Sequence, residues 1–142
     1  MVEFTADGIK DFNSRIVAEF RANGGKVGPP FENATLLLLH TTGAKSGQPR
    51  LAPLAYHQID DMIVIVGSKA GADTNPDWVH NLRANPRAHI EVGTDAYDVL
   101  AREMPLDERD EIYPKIVAKA PGFGEYQEKT NRVIPLFELQ RV

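Results

Sequence analysis

Leu51-Ala52-Pro53-Leu54-Ala55-Tyr56-His57-Gln58-Ile59-Asp60-Asp61-Met62-Ile63-Val64-Ile65-Val66-Gly67 consists of two apolar runs separated by two aspartates. Short runs of this kind, rich in β-branched and aromatic residues, read as strands, and a two-residue polar link between them predicts a tight antiparallel hairpin. Upstream, Ala34 to Thr41 has the same character and predicts a third strand. Downstream, residues 88–92 and 96–104 predict two more, joined at Gly93-Thr94-Asp95 and ended by Pro105, and Val133 to Leu139 predicts the last. Helical signals are interspersed. Ile9, Phe12, Ile16 and Phe20 recur at helical spacing over residues 8–22, and Asn23-Gly24-Gly25 ends that run before a loop over 24–33. Asn75-Pro76-Asp77-Trp78 starts a helix over 76–84 with a cap, a first-turn proline and a first-turn acid, and Asn85-Pro86 closes it. A third helix begins near Asp107 with Ile112, Tyr113, Ile116, Val117 and Ala120 on its apolar face. Pro114 lies inside it and is expected to kink or split it. Three helices among about six strands with hairpin-length links indicate an α+β domain around an antiparallel sheet or small barrel.

The chain has 142 residues, enough for a single domain with its own core. It contains no cysteine, which removes disulfides, thiolate catalysis, iron–sulfur clusters and cysteine-bound zinc together. Met1 to Asp7 has neither a basic segment nor an apolar one of the targeting type, so a cytoplasmic protein is expected. The net charge of −4 argues against a general attraction to nucleic acid. Its distribution is more informative. Between Asn33 and Ala72 the only acids are Asp60 and Asp61, while Lys45, Arg50 and Lys69 remain at turn positions. Buried strands account for missing acids but not for cations kept in turns.

Hydrolase and metal chemistry find little support. None of Ser14, Ser46 and Ser68 lies in a nucleophile elbow, and His40, His57, His80 and His89 lack metal-ligand spacing, which leaves them as structural or surface residues. No metal site is expected. The loop Thr41-Thr42-Gly43-Ala44-Lys45-Ser46-Gly47-Gln48-Pro49-Arg50 reads either as a solvated strand connection or as an anion cradle. Its glycines let backbone N–H groups converge, its hydroxyls add donors, and Lys45 and Arg50 supply positive charge. Gly67-Ser68-Lys69-Ala70-Gly71-Ala72 is a second segment of the same composition, placed just before the capped helix, and it favours the cradle.

Thr41-Thr42-Gly43-x-Lys45-Ser46-Gly47-x-x-Arg50, Pro53-Leu54, Gly67-Ser68-Lys69-x-Gly71-Ala72-x-x-Asn75-Pro76-x-Trp78-x-x-Asn81-Leu82, Asn85-Pro86, Tyr126-Gln127 and Thr130-x-Arg132-x-Ile134-Pro135 together resemble the deazaflavin-dependent nitroreductase family, whose members include F420-dependent quinone reductases. The resemblance implies a split β-barrel of the flavin-reductase-like kind, with residues 1–33 as an N-terminal helix and loop and 34–142 as the barrel core. It implies coenzyme F420 as cofactor, with the phosphate on Lys45, Ser46, Gly47 and Arg50. The deazaflavin ring falls near Pro53, Leu54, Ser68, Lys69 and Gly71, and Trp78 and Asn81 border it. Helical spacing with Leu82 equally allows Trp78 to be a core aromatic.

The implied reaction is hydride transfer from reduced F420 to a quinone, an activated enone or a nitroaromatic, menaquinone being the type of physiological acceptor. Tyr126 and Tyr56 are the candidate donors to the acceptor, with Ser68 beside them. Ala55, Ala120 and Phe123 stand where nitroimidazole-active relatives carry aromatics or hydroxyls, so a roomier acceptor side with fewer donors is expected. A split barrel using flavin mononucleotide and a non-catalytic cofactor carrier remain the alternatives. Mixed charges on the first helix favour packing on the core over lying on a membrane, while leaving transient contact with the inner face of the cell membrane open.

Overall fold

The computed structural model describes residues 6–27 and 35–142. Six strands form a closed barrel: β1 (Leu36–Thr42), β2 (Pro49–Ile59), β3 (Met62–Val66), β4 (Arg87–Val92), β5 (Asp95–Glu103) and β6 (Leu136–Arg141). Their order around the wall is β1-β2-β3-β6-β5-β4, and every neighbouring pair is antiparallel. Closure comes from β1 pairing with β4, Leu39 opposite Ile90. The α-helices are α1 (Ala6–Ala22), α2 (Asp77–Ala84), α3 (Leu106–Lys119) and α4 (Gly122–Glu128), with one 3-10 turn at Lys69–Gly71.

Side chains alternate across each strand, and the clusters follow that alternation. Leu37, Leu39, Ile65, Ile90, Val99, Phe137 and Leu139 fill the barrel interior, joined by Trp78, Val79 and Leu82 of α2. Leu36 and Leu38 point the other way and are covered by Ile16 and Phe20 of α1. Val64 and Leu136 meet Ile112, Tyr113 and Ile116 of α3 in a third cluster.

The expected hairpin is present: Ile59 faces Met62, and Asp60 and Asp61 both have positive φ, 49° and 70°. That twist suits the strands it joins, and Lys115 Nζ lies 2.6 Å from Asp60 Oδ2. Gly24 and Gly25 end α1 with φ of 63° and 99°, as expected of a helix terminus. Ala34 and the rest of the expected loop from residue 28 onward, like the side chains of Ile9 and Phe12, lie outside the described residues.

Three expectations are corrected. Helix α3 runs unbroken through Pro114, because Ile112, Tyr113 and Ile116 bury on either side of it and hold both turns in line against one lost hydrogen bond. The last strand begins at Leu136 rather than Val133, because the backbone before it is engaged elsewhere. Ile134 N–H donates to Gln127 Oε1 at 3.1 Å, and the Pro135 carbonyl accepts from Gly67 N–H at 2.9 Å. Helix α4 is additional to the three expected helices; Gly122 and Gly124 lower its propensity enough to hide it in the sequence.

Arg21 fastens the end of α1 to the barrel, donating to Glu91 of β4 at 3.1 and 2.8 Å, while His40 Nε2 lies 2.6 Å from the same carboxylate. The Arg21 guanidinium first, and His40 after it, hold the Glu91 carboxyl down from 4.5 to about 2. The lowered value means that this contribution to stability is complete above the unfolded carboxyl's pKa and is lost as pH falls through the folded one. Glu91→Gln is expected to lower stability at pH 7 by about 1 kcal/mol, a screened value for a pair open to solvent. It should also flatten the loss of stability between pH 4.5 and about 2, which urea unfolding at a series of pH values would measure.

Candidate active site

The loop between β1 and β2 is a closed turn. Gly43 N–H donates to the Gln48 carbonyl at 2.8 Å, and Gly47 N–H donates to the Gly43 carbonyl at 2.9 Å. A Cβ on Gly43 would fall 2.5 Å from Ser46 Oγ and displace it, and Gly47 has φ of +69°, which glycine takes without strain. Ser46 Oγ accepts from Gln48 N–H at 3.1 Å and from Arg50 Nη2 at 3.4 Å.

Asn81 of α2, buried to 6% exposure, fastens this loop from below. Its Oδ1 accepts from Ala44 N–H at 2.9 Å, and its Nδ2 donates to Thr41 Oγ1 at 3.1 Å. Above them opens a cleft of about 420 Å³, walled on one side by Ala44, Lys45, Ser46 and Arg50 and on the other by Asp77 and His80 of α2. Among the described residues neither Lys45 nor Arg50 forms an ion pair. Asp77 lines the same cleft without pairing to either cation, and two unpaired cations beside a hydroxyl and a glycine turn suit a phosphate-sized anion.

A second element carries the other glycine segment. Lys69, Ala70 and Gly71 take left-handed backbone angles in succession, φ of 47°, 55° and 84°. Ser68, 7% exposed, precedes them, and Lys69 Nζ donates to Thr74 Oγ1 at 3.3 Å. Helix α4 lies against this turn: a Cβ on Gly71 would sit 2.9 Å from the Tyr126 carbonyl.

The structure therefore brings Lys45, Ser46, Arg50 and Asn81 to one cleft, with Gly47 in its turn, and places Ser68, Lys69 and Gly71 beside α4 and Tyr126. The other expected residues are more scattered. Pro53 and Leu54 are adjacent on β2 and so face opposite sides of the wall, Leu54 against the interior cluster and Pro53 opposite Leu38. Trp78 is a core aromatic, 6% exposed and edge-on to Phe137 at 5.7 Å. Tyr56 packs against the interior cluster, whereas Tyr126 packs against the cluster under α3, so the two tyrosines lie at different places. Burial, and to a lesser degree Tyr97, raises the Tyr56 hydroxyl above its usual value, which keeps it a donor.

Ala55 is a correction. It packs beneath α1 with Leu36 and Leu38, on the outer face of the wall, because the strand turns it away from the interior. Phe123 stands edge-on between His57, at 5.0 Å, and Tyr126, at 5.4 Å. His40 and His89 pair with Glu91 and Asp98, as structural histidines do. His57 Nε2 is buried without a partner, and desolvation first, then Lys119, lowers its pKa. The sequence reading missed Asp77 and His80, whose one-turn spacing on α2 puts both on the cleft and was visible once that helix was assigned.

The fold is a small closed barrel with two cations that form no ion pair among the described residues beside a surface cleft. The chain belongs to the F420H(2)-dependent quinone reductase family, which it matches over residues 13–140. It is 38% identical over 130 residues to an F420H(2)-dependent quinone reductase of Mycobacterium tuberculosis, covering 87% of this chain and 86% of that one. A solved F420-H2 dependent reductase superposes with a TM-score of 0.66 at 37% identity, covering 74% of this chain and 93% of the other. A second solved chain, described as a domain-swapped dimer, gives a TM-score of 0.67 at 31% identity, covering 94% and 98%.

Asn81→Ala is expected to cost about 1–3 kcal/mol, since it leaves the Ala44 N–H without its acceptor in a partly buried position. Denaturant unfolding of the variant checks the figure.

Proposed function

We propose that this chain transfers a hydride from reduced coenzyme F420 to a quinone. The observation that carries the reading is the cleft in which Lys45 and Arg50 stand without ion-pair partners among the described residues, in a chain of this family. F420 bears a phosphate and a glutamate tail, and an anion of that kind fits two free cations and the Ser46 hydroxyl. When bound, reduced F420 supplies the hydride.

The chain's own residues bind and orient. Lys45, Ser46, Gly47 and Arg50 hold the phosphate, and Asn81 keeps their loop in place. Ser68, Lys69 and Gly71 border the ring, with Leu54 offering the interior face of β2 to it. Tyr126, on the helix that lies against the Lys69–Gly71 turn, is the better placed donor to the acceptor; Tyr56 and Ser68 are the other hydroxyls in reach of this reading. Flat apolar acceptors bind through burial and stacking, which suits a quinone such as menaquinone. Among the described residues no helix is long and apolar enough to cross a membrane. We place the protein in the cytoplasm, meeting a lipid quinone at the inner face of the cell membrane.

Spectroscopic titration with F420 and with flavin mononucleotide, followed by quinone-dependent oxidation of the reduced cofactor, tests the reading. F420 is expected to bind more tightly, with Lys69 contributing to the preference. Lys45→Ala and Arg50→Ala are each expected to weaken F420 binding by about 1.5–3 kcal/mol, roughly ten- to a hundred-fold in Kd. Added salt should weaken it further. Unchanged affinity in both variants would remove the phosphate assignment.

A menaquinone analogue is expected to oxidise reduced F420 faster than a bicyclic nitroimidazole does, because the latter depends on polar contacts for its orientation. Tyr126→Phe should lower the quinone rate. Steady-state assays with both acceptors decide this, and the reverse order of rates would show that other residues line the acceptor side.

A further inference from the structure

Arg132, in the stretch between α4 and β6, spends its whole guanidinium on one segment. Nε donates to the Ala72 carbonyl at 2.8 Å, Nη1 to Asn75 Oδ1 at 2.7 Å and Nη2 to the Ser68 carbonyl at 2.8 Å. None of the three acceptors is a carboxylate; Asp73 in the same segment adds electrostatic attraction, but the hydrogen bonds go to two carbonyls and an amide. The acceptors span the left-handed turn from end to end. Lys69 and Ala70 are not glycines, yet they hold φ of 47° and 55°. That conformation is unfavourable for an L-residue and persists only where the surroundings dictate it.

The same arginine is tied to α4. Its carbonyl accepts from Gln127 Nε2 at 2.8 Å, and Gln127 Oε1 accepts in turn from Ile134 N–H at 3.1 Å and from Arg109 Nη2. Arg109 also donates from Nε to the Ile134 carbonyl at 2.9 Å and lies over the Tyr113 ring at 4.2 Å. Thr130 donates to Asp73 at 2.9 Å, a second tie between the two segments. Gly71 allows the closest approach, since any Cβ there would meet the Tyr126 carbonyl at 2.9 Å and Lys129 Cβ at 3.0 Å.

We propose that Arg132 is a positioning residue for hydride transfer, holding the turn that carries Ser68 and Lys69 in fixed register with the helix that carries Tyr126. The proposal rests on the F420 reading above, in which one segment borders the ring and the other faces the acceptor. Arg132 touches neither; it sets the distance and angle between the elements that do. A planar fork satisfies three acceptors spread over eight residues of chain, which the single ammonium of lysine does not. Small misplacement of reacting groups costs orders of magnitude in rate, whereas the phosphate is held on a different loop and is indifferent to it. Arg132 therefore governs the rate of the chemical step far more than affinity, of which Lys45 and Arg50 carry the larger part and Lys69 the smaller.

The test compares the wild-type protein with Arg132→Lys and Asn75→Ala. F420 affinity is read by titration, quinone KM and kcat by steady-state assay, and hydride transfer by single-turnover oxidation of bound reduced F420. Arg132→Lys is expected to lower the single-turnover rate about ten- to a hundred-fold, with F420 Kd changed less than about threefold. Asn75→Ala, which removes one acceptor and keeps the cation, should give a smaller drop in the same rate. It also keeps the proposal testable should Arg132→Lys not fold. A folded Arg132→Lys protein with the wild-type transfer rate would overturn the proposal. So would a loss of rate matched by an equal loss of F420 affinity. Failure of the wild-type protein to bind F420 would instead overturn the functional reading, and the proposal with it.

Discussion

Four consecutive leucines, Leu36 to Leu39, are all buried, and a strand can bury consecutive residues only if both of its faces are covered. Each such side chain contributes roughly 1.5–3 kcal/mol when taken fully out of water. That requirement organises the molecule. Leu36 and Leu38 need α1 outside, while Leu37 and Leu39 need an interior that six strands alone do not fill. Helix α2 supplies the remainder with Trp78, Val79 and Leu82. Once that apolar face is inserted, Asn81 is brought beneath the β1–β2 loop, and Asp77 and His80 are left on its open side. The cleft is thus a by-product of how β1 is buried.

Charge is distributed in keeping with this. Arg21, Arg83, Arg87, Arg102, Arg109 and Lys115 each meet a carboxylate within 3.2 Å. Most of these pairs are open to solvent and contribute little individually. Lys45 and Arg50 have no such partner among the described residues, which matches the scarcity of acids between Asn33 and Ala72. Asp77 on the far wall of the cleft makes no ion pair with them, so both keep their donors for an incoming anion. Arg132 follows a third pattern, a partly buried guanidinium satisfied by two carbonyls and an amide.

What could be read from the sequence follows the range of the interactions involved. The Asp60-Asp61 hairpin and the glycine turn at Gly43 and Gly47 are decided within a few residues, and the structure agrees with them. The start of α2 agrees only in place: Pro76 rather than Asn75 is the cap residue and no side chain caps the helix, because Asn75 Oδ1 accepts from Arg132 instead. The free cations were visible as a bias in composition. Other features depend on distant partners. Arg132 reaches carbonyls 60 and 64 positions away, and nothing near it in sequence announces that. Pro114 was judged by its local cost without the buried residues that flank it. Ala55 was judged by the aromatic that relatives carry there, although strand alternation turns it outward beneath α1 while Leu54 faces the interior. The same alternation separates Pro53 from Leu54 and leaves Tyr56 apart from Tyr126.

Helix α2 also relates the two glycine segments to each other. Asn75, just before its first turn, accepts from Arg132, and Asn81, in its second, holds the β1–β2 loop. The helix has eight residues and is therefore about 12 Å long. A helix with three side chains fixed in the barrel interior does not slide, so the spacing between the anion cleft and the left-handed turn is set by the fold rather than by either loop. On the proposed reading the cleft takes the phosphate and the turn takes the ring of one cofactor. Binding energy gathered at the cleft then serves to hold the ring at the turn, and Arg132 decides how accurately the acceptor helix meets it there.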